Sequence, residues 1–284
     1  MASAPRNGPP TGEPGGDTEG VALVTGATGG IGGAIARAIA GAGRRVVVTG
    51  RDAERASALA RAVEGESGTA CLGLPLDVTR GESVDALAAA VADFGPVEWL
   101  VNNAGIAETA AAASDSNHAL ARRLMEVNVF GPMRLFAAFA PGMVERGAGA
   151  ALQIASSASL RGYPYVSAYA ATKHALLGWT RSAALECAPR GVAVSAICPH
   201  YVDTPMTERS IETMAEKTGR TEEDLRAFVA GQNPGGVLVT PDEVAEVAME
   251  LLGSGRGGVV VELTGAERTT VEEGVALAAR EAPC

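Results

Sequence analysis

Short apolar runs alternate with longer stretches of helical spacing between residues 21 and 263. The runs are rich in β-branched residues and are apolar on both faces, which is typical of strands in a parallel sheet. They predict seven strands, at residues 21–25, 45–49, 71–76, 97–101, 150–155, 192–197 and 259–263. The alternation therefore predicts an α/β fold, a single doubly wound parallel seven-stranded sheet flanked by helices.

Helices are predicted in the segments that connect these strands. Their expected bounds are residues 30–42, 53–64, 83–94, about 117–145, about 165–187 and 241–252. One long irregular segment, about 203–236, carries Met206, Met214 and Phe228 between charged residues. Because a segment of that size in a compact domain is usually functional, it predicts a lid over the substrate. A plain surface excursion is the alternative.

The two ends of the chain differ from the region between them. Residues 1–19 are rich in Pro, Gly and Ala and lack an apolar signal core, so a disordered tail is expected there. Residues 20–265 form the predicted domain, and 266–284 form a C-terminal extension. We see no run of about 18 apolar residues, so we expect a cytoplasmic protein with no membrane partner.

Composition excludes several other classes of protein. The chain has 284 residues and a formal net charge of −10, whereas a nucleic-acid binder should show a basic stripe. Its 4 cysteines stand far apart without a neighbouring histidine at ligand spacing, so neither a disulfide framework nor a metal site is expected.

A glycine-rich turn follows the first predicted strand and precedes the first helix. Glycines there let the backbone approach a pyrophosphate, and the free N–H groups of the helix favour an anion. The position between strand and helix is what gives this motif weight in a glycine-rich chain. The expected dinucleotide contacts are Thr25, Gly26, Thr28, Gly30, Ile31 and Gly32.

The end of the second strand bears on the choice between NADP(H) and NAD(H). Gly50 closes the strand and Arg51 follows, and a guanidinium suits a 2′-phosphate. Asp52 is better placed to cap the next helix. NADP(H) is therefore favoured over NAD(H), with an ordinary surface role for Arg51 as the alternative. Asp77 and Val78 follow the third strand, where an adenine ring would lie.

Tyr169 and Lys173 are four residues apart in a predicted helix and so share one face. A nearby ammonium should lower the pKa of the phenol and make Tyr169 usable as a proton shuttle. This spacing is common, and a tyrosine that merely anchors the helix is the alternative. Ser156, which closes the fifth strand thirteen residues before Tyr169, strengthens the catalytic interpretation because ligands bind at the carboxyl ends of such strands.

With these motifs the chain resembles the short-chain dehydrogenase/reductase family from about residue 20 to residue 265. The shared motifs are the glycine turn, Asn102-Asn103-Ala104-Gly105 after the fourth strand, Asn128 in the long helix, Ser156, and the Tyr169/Lys173 pair. The resemblance implies a Rossmann-type fold and a NAD(P)-dependent oxidoreductase that interconverts a ketone and a secondary alcohol.

The resemblance also implies roles for individual residues. Ser156 would orient the carbonyl, Tyr169 would donate the proton, Lys173 would bind the nicotinamide ribose, and Asn128 would hold a relay water. The further cofactor contacts it implies, together with the motif residues above, are Asn103, Ala104, Gly105, Pro199, Val202 and Thr204.

The chain departs from the family pattern at two places. Pro199-His200 stands where the family commonly has Pro-Gly, and His200 either touches substrate or points to solvent. Glu262-Leu263-Thr264-Gly265 replaces the usual Gly-Gly after the last strand. Ser157 is a second candidate for the catalytic serine, although the thirteen-residue spacing favours Ser156.

Substrate and assembly are less constrained. The region from Asn233 to Ala245 is similar to 3-oxoacyl thioester reductases, so we expect reduction of a 3-oxoacyl group on CoA or a carrier protein, or of a polyketide ketone. Oxidation of a secondary alcohol or a 3-hydroxyacyl group is the runner-up, and a non-catalytic dinucleotide sensor is the alternative of another class. The resemblance implies a homotetramer or homodimer.

Overall fold

The computed structural model describes residues 20–277, so the predicted tail at 1–19 and the end of the predicted extension lie outside the described residues. The strands are β1 (Val21–Val24), β2 (Val46–Gly50), β3 (Cys71–Pro75), β4 (Val97–Asn102), β5 (Gly149–Ile154), β6 (Val192–Pro199), β7 (Arg256–Leu263) and β8 (Arg268–Ala276). The α-helices are α1 (Gly30–Gly41), α2 (Ala53–Ser67), α3 (Gly81–Ala92), α4 (Asp115–Met125), α5 (Gly131–Arg146), α6 (Ser167–Cys187), α7 (Pro205–Thr218), α8 (Glu222–Ala230) and α9 (Pro241–Gly253).

These strands form one sheet in the order β3-β2-β1-β4-β5-β6-β7-β8. Strands β1 to β7 pair in parallel, which confirms the predicted doubly wound arrangement. The chain reverses its winding between β1 and β4, and open sheets bind ligands at that point, at the carboxyl ends of the strands.

The predicted strand count was wrong by one. Residues 268–276, assigned from the sequence to a C-terminal extension, form β8, which pairs antiparallel with β7. The sheet therefore has eight strands and is mixed rather than wholly parallel. The strand escaped prediction because it is an edge strand with most of its residues exposed, so its sequence lacks the apolar run that marks the others.

Apolar clusters fill both faces of the sheet. One cluster joins the buried residues of β1 and β2 to Ile35 and Ile39 of α1 and Leu251 of α9. The other joins the opposite face to α3, α5 and α6 through residues such as Leu87 and Leu135. The two layers of helices hold the strand ends in a fixed arrangement, and the functional loops are built on those ends.

The segment at 203–236 is not irregular, as the sequence had suggested, because it contains α7 and α8. The hydroxyl of Thr204 accepts from the N–H of Thr207 at the start of α7, and that of Thr221 caps α8 in the same way. Ile211, Leu225 and Val229 pack the two helices together in a small apolar cluster of their own.

The long predicted helix at 117–145 is two α-helices joined by a π-helical turn, Glu126–Phe130. Within residues 20–277, the stretch His118–Arg146 is long and apolar enough to cross a membrane by length and composition. Leu124, Leu135 and Met143 of this stretch are fully buried within the domain. These three side chains belong to the domain core.

Candidate active site

The glycine turn between β1 and α1 has the close backbone approach that the motif requires. Gly26 has φ +61°, and a Cβ there would lie 2.8 Å from the Cα of Ala104, so no other residue fits without strain. Thr25 Oγ1 donates to the carbonyl of Val101 at 3.2 Å and accepts from the N–H groups of Asn103 and Ala104 at 3.0 and 3.1 Å. The turn is thereby fixed to the end of β4.

Asn103 has a structural task that the sequence did not reveal. Its Nδ2 donates to the carbonyls of Thr25 and Gly26 at 2.9 and 3.0 Å. These two bonds fix the position of the glycine turn relative to the end of β4. The predicted ribose contact of Asn103 and Ala104 stays a prediction.

The N-terminus of α1 fits a pyrophosphate. Its N-cap, Gly29, makes no side-chain capping bond, and the first turn holds no acidic residue, so N–H groups of this turn are left for an anion. A Cβ on Gly30 would lie 2.7 Å from Cγ2 of Thr204, so the start of α1 packs directly against the residue that precedes α7. Ile31 is partly buried against the core, and Gly32 is buried.

The end of β2 lies beside the same turn. A Cβ on Gly50 would approach the hydroxyl of Thr28 to 2.9 Å, so Thr28 and the following Arg51 are neighbours at this strand end. The Arg51 side chain is exposed. Asp52 caps α2, as expected, by accepting from the N–H groups of Glu54 and Arg55 at 2.9 and 3.1 Å.

A cavity of about 410 Å³ opens between the glycine turn and α2. Arg37 of α1 and Arg55 of α2 line it together with Thr28, Gly29 and Gly30. Sequence reasoning missed both arginines because they are helix-surface residues with no motif around them. The basic character of Arg55 suits an anionic ligand at this place, whereas Arg37 already pairs with Glu66 at 2.8 Å.

Asp77 and Val78 lie after β3 as expected, but both already have structural contacts. Asp77 Oδ1 accepts from the hydroxyl and the N–H of Thr79 at 2.7 and 3.0 Å. These bonds, with smaller contributions from Arg80 and Arg51, lower the pKa of the Asp77 carboxyl. Val78 is buried, and a Cβ on Gly131 would lie 2.8 Å from its Cγ2.

Ser156 and Tyr169 meet at the carboxyl end of β5. Ser156 begins a 3-10 turn, Ser157–Ser159, and its Oγ accepts from the N–H of Ala158 at 3.1 Å. Burial raises the pKa of Tyr169 to about 12, although a hydrogen bond with the Ser156 side chain acts in the opposite direction. The lowering predicted from the sequence was wrong, because loss of water outweighs the favourable contacts. Ser157, the other serine considered, accepts instead from the Tyr163 hydroxyl at 3.0 Å.

Lys173 lies beneath this pair on α6. Its Nζ is 5.7 Å from the centroid of the Tyr169 ring and donates to the carbonyl of Ile154 at 2.9 Å. Burial lowers the pKa of the Lys173 ammonium to about 8. The lysine is thus held next to the phenol, and its proton is easily lost.

Asn128 occupies the π-helical turn. Its Oδ1 accepts from the N–H of Ile106 at 2.9 Å, and its Nδ2 donates to the carbonyl of Ile106 at 2.9 Å and to Thr172 Oγ1 at 3.3 Å. A Cβ on Gly105 would lie 3.3 Å from Asn128 Oδ1 and 3.9 Å from Lys173 Nζ. Asn128, Gly105 and Lys173 are therefore adjacent, and π-turns often mark functional sites.

The loop after β6 forms the opposite side of the site. Val202 is buried, and its carbonyl accepts from Thr207 Oγ1 at 2.6 Å, while Thr204 caps α7. Pro199 ends β6. The N–H of His200 donates to the carbonyl of Leu263, and its Nε2 lies 2.7 Å from Glu262 Oε1, so the side chain is not directed to solvent.

All 4 tyrosines of the chain, at positions 163, 165, 169 and 201, lie on these strand-end segments. Among residues 20–277, Tyr165 is the one residue other than glycine that has a positive φ, at +64°. Its carbonyl accepts from the N–H of Ala110 at 2.9 Å. Burial raises the pKa of Tyr201, and the neighbouring Tyr163 adds to the effect.

The family model for short chain dehydrogenases matches residues 20–215 of the chain. The chain belongs to the short-chain dehydrogenase/reductase family. This confirms the family membership that the sequence motifs predicted. Members of the family include the relatives and solved structures described next.

Among similar proteins, a putative ketoacyl reductase of Streptomyces coelicolor is 36% identical over 245 residues, covering 85% of this chain and 93% of that protein. A D-beta-hydroxybutyrate dehydrogenase of Rhizobium meliloti is 37% identical over 236 residues, covering 82% of this chain and 91% of that protein. The structure of an actinorhodin polyketide ketoreductase variant with NADPH aligns with a TM-score of 0.81 at 35% identity, over 87% of this chain and 96% of the other. NAD+-bound xylitol dehydrogenase aligns with a TM-score of 0.80 at 29% identity, over 87% and 98%.

These relatives act on ketone and alcohol groups. The protein is accordingly assigned to the oxidoreductases that act on CH–OH and C=O groups. The structures hold NADPH in one relative and NAD+ in another, so the likeness supports dinucleotide binding without selecting between the two.

Proposed function

We propose that the chain reduces a ketone to a secondary alcohol with NADP(H), using Tyr169 as the proton donor. The observation that carries the proposal is the meeting of Ser156, Tyr169, Lys173 and Asn128 at the end of β5, next to the glycine turn. NADPH, when bound, supplies the hydride for the carbonyl carbon. Ser156 would hold the carbonyl oxygen by a hydrogen bond, which brings it to the phenol.

The protonated state of Tyr169 at neutral pH is the one that reduction requires. A phenol with a pKa raised to about 12 is protonated at neutral pH, and this is the form that can give a proton to a developing alkoxide. Oxidation of an alcohol needs the phenolate instead. The oxidative alternative therefore requires the pKa of Tyr169 to be lowered, to which Lys173 is positioned to contribute because its Nζ lies 5.7 Å from the ring.

For the cofactor, the residues of the site fit a dinucleotide. The uncapped start of α1 would hold the pyrophosphate, and Thr204, which packs against Gly30, places the nicotinamide-side loop with Pro199 and Val202 beside it. Arg51, with Arg55 at the adjoining cavity, supports a 2′-phosphate and hence NADP(H) over NAD(H).

The substrate is proposed from the relatives and the site walls together. Ketoacyl reductases and a polyketide ketoreductase are among the similar proteins, which supports a 3-oxoacyl group on CoA or a carrier protein, or a polyketide ketone. Tyr201 and Met206, each partly exposed near the site, and Phe228 on α8 offer apolar contacts for such a chain. A lid role for residues 203–236 belongs to the same proposal, because α7 begins at Pro205, directly after the proposed cofactor contact Thr204.

Steady-state kinetics with NADPH and NADH against 3-oxoacyl thioesters and simple ketones test the proposal. We expect turnover that prefers NADPH, and Tyr169→Phe should lower kcat by at least about 100-fold because the proton donor is lost. NADPH affinity should survive in this variant, and Tyr201→Phe is the matched control because it removes a different phenol at the site. Retained turnover in Tyr169→Phe would refute the assignment of the donor.

The cytoplasmic location and the homodimeric or homotetrameric state remain part of the proposal. The assembly is inferred from the tendency of soluble enzymes to form closed symmetric oligomers. Sedimentation velocity of the purified protein would give the oligomeric state directly.

A further inference from the structure

A charged cluster joins three segments that surround the site. Arg161 belongs to the loop 157–166 between Ser156 and α6, which we call the serine loop. Glu262 is near the end of β7, and His200 follows β6. Glu262 Oε1 accepts from the guanidinium of Arg161 and lies 2.7 Å from His200 Nε2.

The cluster is largely withdrawn from water. The His200 side chain is 3% exposed and that of Glu262 is 13% exposed, whereas Arg161 is 47% exposed at the outer end. A nearly buried carboxylate is stable only when its partners are in place. Arg161 therefore cannot leave Glu262 without a substantial loss, and the serine loop is held with it.

The cluster lies directly behind the reacting groups. Cys198 pairs with Glu262 across β6 and β7, and the Cys198 thiol is close enough to the backbone of Ser156 and to Lys173 for both to act on it. Leu160, next to Arg161, packs against Cys198 and Ala155. The charges thus act on the chemistry through the position of the serine loop.

The serine loop has other fastenings, but they hold other parts of it. Tyr163 Oη donates to Ser157 Oγ at 3.0 Å within the loop, and the carbonyl of Tyr165 is tied to Ala110 at 2.9 Å. The ion cluster ties the middle of the loop to the ends of β6 and β7. His200 also begins the segment that leads to Val202 and Thr204, on the nicotinamide side.

We propose that Arg161, Glu262 and His200 are positioning residues that fix the serine loop against the strand ends and so determine which face of the ketone is reduced. The inference rests on the proposed reduction and adds to it a determinant of stereochemistry. Which face of the ketone receives the hydride depends on how the serine loop orients the two substituents of the carbonyl carbon. A loop released by about 1 Å would therefore allow both orientations.

The test compares Arg161→Met with Arg161→Lys, which keeps the charge, and with Glu262→Gln. Arg268→Met is the matched control, because Arg268 pairs with Glu250 on β8 and α9, away from the site. Each variant reduces ethyl 3-oxobutanoate with NADPH, and the enantiomers of the product are separated by chiral chromatography. Arg161→Met should raise KM and the minor enantiomer, each by on the order of tenfold, with little change in the Kd of NADPH.

Arg161→Lys should restore the wild-type KM and enantiomer ratio, and Arg268→Met should leave both unchanged. This pattern distinguishes positioning from a general loss of stability. An unchanged enantiomer ratio and KM in both Arg161→Met and Glu262→Gln would overturn the proposal. So would a lysine variant that behaves like the methionine variant.

A measurement without turnover separates this proposal from the proposed function. The chain labelled with 3-fluorotyrosine gives a fluorine NMR spectrum from its 4 tyrosines. Arg161→Met should shift or broaden the signals of Tyr163 and Tyr165, and Arg268→Met should leave them alone. If the wild type reduces no ketone but these signals move, the proposed function fails while the fixing of the loop stands. If the signals of Tyr163 and Tyr165 do not move in Arg161→Met, the proposed role of the cluster in fixing the serine loop is overturned.

Discussion

The burial of Lys173 has a thermodynamic consequence that can be measured. The chain contains 2 lysines, Lys173 and Lys217. Apart from histidine, its other basic side chains are arginines. Burial lowers the pKa of Lys173 from 10.5 to about 8. A fall of that size corresponds to about 3 kcal/mol of destabilisation at pH 7, because the folded state holds the ammonium less tightly than the unfolded state does.

The sign of the pH dependence follows from this difference. Between pH 8 and 10.5 the unfolded chain binds a proton at Lys173 that the folded chain has lost, so the free energy of unfolding rises with pH across that window. Below pH 8 the penalty is constant. Lys173→Met should therefore be inactive yet more stable than wild type by about 3 kcal/mol at pH 7, and by less than about 1 kcal/mol at pH 10.

Two assays check the reasoning. Lysine labelled with carbon-13 at Cε gives 2 resonances, and Lys217, exposed on α7, is the internal reference. Urea unfolding followed by the fluorescence of Trp99 and Trp179 gives the stability of wild type, Lys173→Met and the control Lys217→Met at both pH values. Titration of Lys173 at its ordinary value of 10.5, or a stability difference that does not change with pH, would show that burial does not set this pKa.

Two further predictions concern the cofactor and the core. Arg51→Asp should weaken NADPH binding by about 10- to 100-fold and shift preference toward NADH, measured by fluorescence titration, and unchanged selectivity would remove Arg51 from the site. Gln153 is fully buried and neither atom of its amide group has a partner, so Gln153→Met should raise the free energy of unfolding by about 1–3 kcal/mol in urea melts. A less stable variant would mean that an ordered water satisfies the amide.

The sequence predicted best those parts of the fold that local chemistry determines. The parallel strands are apolar on both faces, and the glycine turn stands between a strand and a helix, so each could be placed without knowledge of the rest. Asp52 was assigned to a helix cap and forms one. The helices α7 and α8 were missed, although Thr204-Pro205 and Thr221 followed by acidic residues are helix-start signals that could have been used.

Other features depend on contacts between distant segments, and the sequence carries no local sign of them. The pKa of Tyr169 could not be predicted because the burial that raises it arises from the packing of α4 and α6. The clamp of Asn128 on Ile106 needs a π-turn that no residue pattern announced. Arg161, Glu262 and His200 are brought together only by the sheet, so neither the departure at His200 nor that at Glu262 could be interpreted from one segment alone.

The eighth strand carries the sheet beyond residue 265. Without β8, the edge of β7 would present unpaired backbone groups and the apolar side chains of an inner strand to other molecules, which is a template for aggregation. Glu272 and Glu273 place charge on β8 itself. Arg181 adds to it, because its Nε donates to Glu272 Oε1 at 2.8 Å. A chain shortened to residue 265, where the family resemblance stops, would therefore be poorly soluble, and the expression boundary belongs beyond residue 277.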